Sequence, residues 1–320
     1  MKRIFRLVRY FAVLGLAGLL APSLALAQCK VDTPTPLVLG TVTSLLVNLQ
    51  QQATSSPKAG VSCKSMAVGI GSADVINGTV TTTNSGKLLG PTGDTVSYTM
   101  FSDKDFTRQL TIGQRYNWAD SGILTWPGWD GGAASMSLYL RTVTGSNVTA
   151  GTYTDTVSIL WEWELCNGAA ILRRCLGDVV AGSTRVSIPV TLVVTNDCTM
   201  TVPDVSFGAA PAVSGFAPVS GSLSMNCTKG MLYTVGMSPG VQAATNGRRQ
   251  MTNAGKWLQY DIYDASTGTI WGQTSNRVSS NGAADGVSVK QFPYVAKIYK
   301  DQLTPPPGTY LDTVIVDVRY

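Results

Sequence analysis

The chain has 320 residues, with 24 Lys and Arg against 19 Asp and Glu, and no histidine. Without imidazole, Ser-His-Asp and Cys-His catalysis and His-ligated metal sites are excluded, which leaves only carboxylate chemistry to an enzyme. Charged residues make up 13% of the chain, against roughly 25% in ordinary soluble domains, so a surface rich in Ser, Thr, Asn and Gly is expected.

Residues 1–27 read as a secretory signal. Lys2, Arg3, Arg6 and Arg9 precede a short apolar run, Phe11 to Leu20, and Ala25-Leu26-Ala27 forms a small-residue cleavage site. The run is shorter than the roughly 20 residues that cross a bilayer, and no later segment reads as a membrane span, so export is expected. Removing these four basic residues from 24 leaves 20 against 19 acids, a net charge of +1. Nothing in that balance points to a nucleic-acid partner.

Beyond the signal, one unit occurs twice. The first copy opens at Cys29 and passes through "VLG" (38–40), "VSCK" (61–64) and "SYTMFSDKDFTRQLTIGQ" (97–114) to "GTYTDTV" (151–157). The second opens at Cys198 and passes through "SFG" (206–208), "MNCT" (225–228) and "QYDIYDASTGTIWGQ" (259–273) to "GTYLDTV" (308–314). Four matches in one order mark a duplication. It pairs Cys29 with Cys63 and Cys198 with Cys227, leaving Cys166 with Cys175 to close a short loop that the second copy lacks. An exported chain with an even cysteine count suits disulfides.

Short runs rich in β-branched and aromatic residues alternate with Gly, Asn, Ser and Pro in both copies, and no mature segment shows a helical period with caps. The predicted fold is therefore all-β, two Ig-like sandwiches, covering 28–196 and 197–320. After the first copy, "STRVSIPVTLVVTN" (183–196) alternates Val186, Ile188, Val190, Leu192 and Val194 with mostly polar neighbours. It reads as an extra strand, about 184–195, that completes the first sandwich in cis, with Pro189 suiting an edge. The second copy ends on Val314, Val316, Val318 and Tyr320, on one face, with no such strand after them. A sandwich short of its last strand exposes a core groove and an open edge, and is expected to receive a strand from another molecule. Cys29 is the second residue of the expected mature chain, which leaves no segment to donate, so the protein is expected at the end of a polymer.

"LQYDIYDASTGTIWGQ", "PPGTYLDTVIVDVRY" and the Cys198 to Cys227 opening resemble the spore coat protein U domain, the pilin module of archaic, Csu-type chaperone–usher pili. Residues 29–163 resemble a diverged copy. A diverged domain followed by a pilin domain is similar to the two-domain tip adhesin of such pili. The resemblance implies export to the bacterial periplasm and a chaperone that lends its own strand. It implies an outer-membrane usher that exchanges that strand for the donor segment of an adjacent pilin. The contact would run along Val314, Val316, Val318 and Tyr320, with the terminal carboxylate as an anchor. It implies a place at the pilus tip, in adhesion and biofilm formation, and no cofactor.

Two loops of the first copy are candidates for the adhesive surface. "RYNWADSGILTWPGWDGGAAS" (115–135) holds Trp118, Ile123, Leu124, Trp126 and Trp129, and "CNGAAILRRC" (166–175) holds Ile171 and Leu172. Trp118 and Trp126 suit core or surface equally, whereas Ile123-Leu124 and Ile171-Leu172 read as exposed. "GKLLGPTG" (86–93) is a weaker third candidate. Each exposed Leu or Ile buried on a surface contributes roughly 1.5–3 kcal/mol, and such clusters mark contact sites with abiotic or host surfaces. The rival within the same class is a glycan-binding tip that stacks sugars on Trp118 beside Asp120 or Trp129 beside Asp130. From other classes, the rivals are a structural coat protein and a carboxylate enzyme built on Glu162 and Glu164, but those carboxylates lie opposite the inward tryptophans, on a face that reads as solvated. No metal-ligand spacing is apparent.

Overall fold

In a computed structural model, described over residues 28–31, 33–64, 75–117, 137–167, 170–171 and 174–320, the alternating runs become strands. Domain one contains β1 (Gln28–Val31), β2 (Leu37–Thr43), α1 (Ser44–Leu49), β3 (Ala53–Ser56), β4 (Val61–Lys64), β5 (Val75–Thr82), β6 (Lys87–Leu89), β7 (Thr95–Phe101), β8 (Gln109–Leu110), β9 (Arg115–Asn117), β10 (Leu138–Thr142), β11 (Gly151–Asn167), β12 (Ala170–Ile171), β13 (Arg174–Cys175) and β14 (Asp178–Thr195). Domain two contains β15 (Cys198–Thr201), β16 (Val219–Cys227), β17 (Thr234–Met237), β18 (Arg249–Asn253), β19 (Lys256–Asp264), β20 (Val278–Ser279), β21 (Lys290–Ile298) and β22 (Val316–Arg319). The expected signal, 1–27, lies outside the described residues.

The main sheet of domain one runs β2-β14-β11-β6-β7-β10-β3, with β5 joining β11 and β9. Domain two divides into β15-β16-β21-β19-β18 and β20-β17-β22. Among the described residues, all strand pairings are antiparallel except β14 with β2. Each domain has its own apolar core. Since successive side chains of a strand point to opposite faces, Val157, Ile159, Trp161 and Trp163 of β11 all face inward and are buried.

The duplication is visible in local geometry. Cys29 stands opposite Cys63 in the β1–β4 ladder, and Cys198 opposite Cys227 in β15–β16. The second pair forms a disulfide; Cys175 is also disulfide-bonded. Gly40 and Gly208, the glycines of "VLG" and "SFG", both adopt left-handed backbone, φ 84° and 74°, a region that favours glycine. The Gly-Thr-Tyr motif is a tyrosine corner, in which a hydroxyl is tied to the backbone a few residues upstream. Tyr153 Oη donates to the Thr149 carbonyl and Tyr310 Oη to the Pro306 carbonyl, both at 2.8 Å. The aspartate two residues on repeats as well. Asp155 accepts from Tyr98 Oη at 2.8 Å and from the Asn84 N–H. Asp312 accepts from Tyr260 Oη at 2.8 Å and from the Val241 N–H. Burial, followed by the bonded carboxylate, pushes both tyrosine hydroxyls well above their usual range.

Three expectations are corrected. A helix does form, α1, whose first turn is capped by Thr43 Oγ1 accepting from the Leu46 N–H. Its six residues are too few to display a helical period, and burial of Ser44 and Val47 holds it. The last strand is shorter than its alternation predicts, Val316–Arg319 only. Pro189 does not sit on a strand that is an edge throughout. Residues before it pair only with β11, and from Val190 onward β14 also pairs with β2, so the missing N–H falls just where the second ladder begins.

Candidate strand-acceptor groove and remote loops

In domain one, β14 lies between β11 and β2. Ile188, Val190, Leu192 and Val194 are buried and Val186 is half-buried against the same core. The register sets Val157 opposite Ile188 and Tyr153 opposite Leu192, so two apolar stripes meet on one face. The counterparts in domain two are β22, matching β11, and residues 205–208, matching β2. Among the described residues no strand lies between them, and β22 pairs on one side only, with β17. Residues 202–210 form no strand at all, because the ladder that would organise them is missing. Val205 and Phe207 on that side, and Val314, Val316 and Val318 on the other, are only half-buried against the core. Tyr320 is 72% exposed. They leave half-buried apolar side chains beside a strand edge that is unpaired among the described residues.

The closing segment is tied down from behind. Ser238 N–H donates to the Ile315 carbonyl and the Ile315 N–H donates to Ser238 Oγ, both at 2.8 Å. Thr252 and Leu311 exchange backbone bonds at 2.9 and 3.1 Å. Deeper in, Arg249 pairs with Asp261 at 2.9 Å, the two side chains 3% and 2% exposed. Its other donors reach the carbonyls of Ser238, Met237 and Trp271, so this buried charge is satisfied on every side. None of this was read from the sequence; an isolated Arg–Asp pair twelve residues apart carries no pattern.

The domains meet through several contacts. Lys229 Nζ donates to Asp94 Oδ1 at 2.6 Å, Ser44 and Thr228 hydroxyls share a bond of 2.6 Å, and Asn147 Nδ2 donates to the Asp285 carbonyl at 2.8 Å. Burial would raise the Asp94 carboxyl, but the bonds from Lys229 and the Thr149 N–H outweigh it and hold it below the ordinary carboxylate range. The "GKLLGPTG" segment leads directly to Asp94 and packs there, with Thr92 Oγ1 bonded to Thr149 Oγ1 at 2.7 Å. The end of this third loop candidate thus lies next to the junction contact of Asp94 with Lys229.

From the junction, β11 and β7 run away from domain two. Register places Phe101 beside Tyr139, at the start of β10, and Asn117 beside Asn77, itself opposite Glu162. Both roots of the 118–136 segment, and the β12–β13 hairpin after β11, thus emerge at the pole remote from domain two. Trp118, Ile123, Leu124, Trp126, Trp129 and Leu172 lie outside the described residues; Ile171 is in β12, opposite Arg174. The same pole carries a cluster not singled out in the sequence. Arg141 lies over Phe101 and Phe106 at 5.3 and 4.9 Å, and Phe106 packs against Tyr139. Phe106 adopts φ 55°, costly for a bulky side chain. Glu162 pairs with Arg115 at 3.2 Å and Glu164 is exposed. Among the described residues no group of three His, Cys, Asp or Glu is placed to hold a metal, and no helix is long and apolar enough to cross a membrane.

Comparison with solved structures shows the same fold. The chain is similar to the chaperone–tip adhesion subunit pre-assembly complex of archaic chaperone–usher Csu pili of Acinetobacter baumannii, with 20% identity, TM-score 0.59, and 92% of this chain and 100% of that chain covered. The CupB6 tip adhesin of Pseudomonas aeruginosa matches at 12% identity and TM-score 0.37, over 91% of this chain and 94% of that one. No curated protein matches in sequence. The family model of the Spore Coat Protein U domain matches twice, over residues 16–160 and 184–317. The second match begins at Thr184, inside β14, so the strand that packs into domain one falls within the second family unit. With both matches covering most of its length, the chain belongs to the Spore Coat Protein U domain family.

Proposed function

We propose that this protein is the tip subunit of a chaperone–usher pilus, with domain two as the acceptor of a donor strand and domain one as the adhesive end. The observation that carries this is the contrast between β11, flanked by β14, and β22, unpaired on one side above half-buried apolar side chains. An open edge of that kind is an aggregation hazard unless it is covered, and strand addition supplies both the backbone bonds and the side chains for the groove. On this reading a periplasmic chaperone covers the edge during export, with Val314, Val316, Val318 and Tyr320 in the contact, and an outer-membrane usher exchanges it for the donor strand of the adjacent pilin. The chain reaches the cell surface at the end of the pilus, has no catalytic role, and promotes adhesion and biofilm formation.

The adhesive residues on this reading are Trp118, Ile123, Leu124, Trp126, Trp129, Ile171 and Leu172. Support comes from the roots of their loops, which emerge away from the domain junction. The aromatic–arginine cluster at that pole favours a second reading, a glycan-binding tip, since the half-exposed rings of Phe106 and Tyr139 beside Arg141 offer stacking and hydrogen bonding.

Two experiments test this. The mature chain is expressed with a periplasmic pilus chaperone, and the purified complex is offered a synthetic donor peptide of sequence 183–196. A rise in stability with chaperone or peptide, reduced on deletion of Tyr320, supports strand acceptance; a monomer whose stability the peptide leaves unchanged overturns it. Attachment of cells to hydrophobic plastic is then compared after Ile123, Leu124, Trp126, Ile171 and Leu172 are replaced by Ser. Loss of attachment supports hydrophobic contact. Unchanged attachment, with glycan binding abolished by Trp129→Ala, replaces it with the lectin reading.

A further inference from the structure

We infer that Arg277 is a positioning residue for strand acceptance, holding β22 as a preformed edge before any partner arrives. This role presupposes strand acceptance by domain two. Arg277 directly precedes β20 and reaches across β17 to β22. Its Nε donates to Thr234 Oγ1 at 2.9 Å, and Nη2 to the Thr234 carbonyl at 2.8 Å. On the far side, Nη1 donates to Asp317 Oδ2 at 2.9 Å and Nη2 to the Asp317 carbonyl at 3.1 Å. Nη1 also reaches the Gln273 carbonyl at 2.6 Å. The side chain is 9% exposed. One planar fork thus bonds the backbone of two neighbouring strands and a carboxylate at once, a geometry that the point charge of lysine cannot reproduce.

Gly236 makes the crossing possible. A Cβ there would collide with the Arg277 guanidinium and with Asp317. Arg277, Gly236 and Asp317 therefore form one device on the face of β17 and β22 turned away from the core. That placement leaves the groove face and the outer edge of β22 untouched. The β17–β22 ladder is only four residues long, Thr234–Met237 against Val316–Arg319, and a two-stranded edge this short frays readily without support. An edge held in register before docking avoids the ordering cost at the moment of binding, which appears as affinity.

The test uses the mature chain 28–320 and the synthetic 183–196 peptide as probe, with Arg277→Lys, Asp317→Asn and Gly236→Ala as variants. Peptide affinity is expected to fall about tenfold in each, the equivalent of one lost charge-assisted bond. Amide exchange at Asp317 and Arg319, whose N–H groups face β17, is expected to rise in the peptide-free variants and return to the wild-type rate once peptide is bound. A merely structural role would leave exchange raised in both states. Wild-type affinity in all three variants, exchange that peptide does not restore, or loss of near-ultraviolet circular dichroism in all three even with peptide overturns the clamp. Failure of the wild-type chain itself to bind the peptide overturns strand acceptance instead.

Discussion

Domain one and domain two are copies of one unit that close their cores by different means. In domain one a long strand, β14, sets Ile188 opposite Val157 and Leu192 opposite Tyr153, and these side chains, with Val190 and Val194, are buried. In domain two the corresponding stripe stays half-exposed, and the structure is held from behind by arginine: Arg249 with Asp261 in the interior, Arg277 with Asp317 across the last ladder. The motifs common to both, the tyrosine corner and its Asp–Tyr bond, stabilise each unit in the same way and so do not explain the difference. What separates the two is whether a strand occupies one slot. On the proposed reading, the sealed slot of domain one makes a platform and the open one of domain two a docking edge.

The comparison can be broken most sharply at the seam. Leu192→Asp places an unpaired charge in the core of domain one and is expected to cost more than about 4 kcal/mol, whereas Val316→Asp on the half-exposed stripe should cost about 1–2 kcal/mol in the peptide-free chain. Denaturant unfolding of each, followed separately through Trp161 and Trp271, checks this; equal costs would mean that the β22 stripe is as sealed as that of β11. Next in size, Arg249→Ala strands the buried Asp261 and should destabilise domain two by about 3–5 kcal/mol, leaving the domain-one transition in place. Tyr98→Phe and Tyr260→Phe each remove one bond to a carboxylate, about 1.5–3 kcal/mol, and the two losses should agree within error if the device is the same in both copies.

The smallest effect lies at the junction. The Asp94 carboxyl is held below its usual value, so its bond to Lys229 stabilises the domain contact above the unfolded pKa, about 3.9. That contribution fades as pH falls through the lower folded value. Cleavage between the domains by an acid-active protease should therefore accelerate below about pH 4, and Asp94→Asn should produce part of that sensitivity at neutral pH, with a cost of about 1 kcal/mol.

Much of the architecture was legible because its signals are local. Alternation of Val186 to Val194 states which side chains share a face, and a repeated Gly-Thr-Tyr-x-Asp-Thr-Val states that two regions fold alike. The helix Ser44–Leu49 was missed because six residues show no period. A glycine- and proline-rich turn such as "GKLLGPTG" reads the same in sequence whether it faces solvent or leads to a second domain. The roles of Arg249 and Arg277 were silent, since their partners lie on other strands and nothing in spacing links them.

By itself, then, the sequence determined the all-β class, the duplication, the Cys198–Cys227 pairing and the apolar stripe of β14, because each is carried by neighbours along the chain and by the two-residue period of a strand. Only the tertiary structure decided that β14 lies parallel to β2 as well as antiparallel to β11, that residues 202–210 are left without a ladder, and that a guanidinium crossing Gly236 ties β22 in place. Those outcomes depend on which distant backbone groups find partners, and hydrogen bonding between strands is settled only when the sheets assemble.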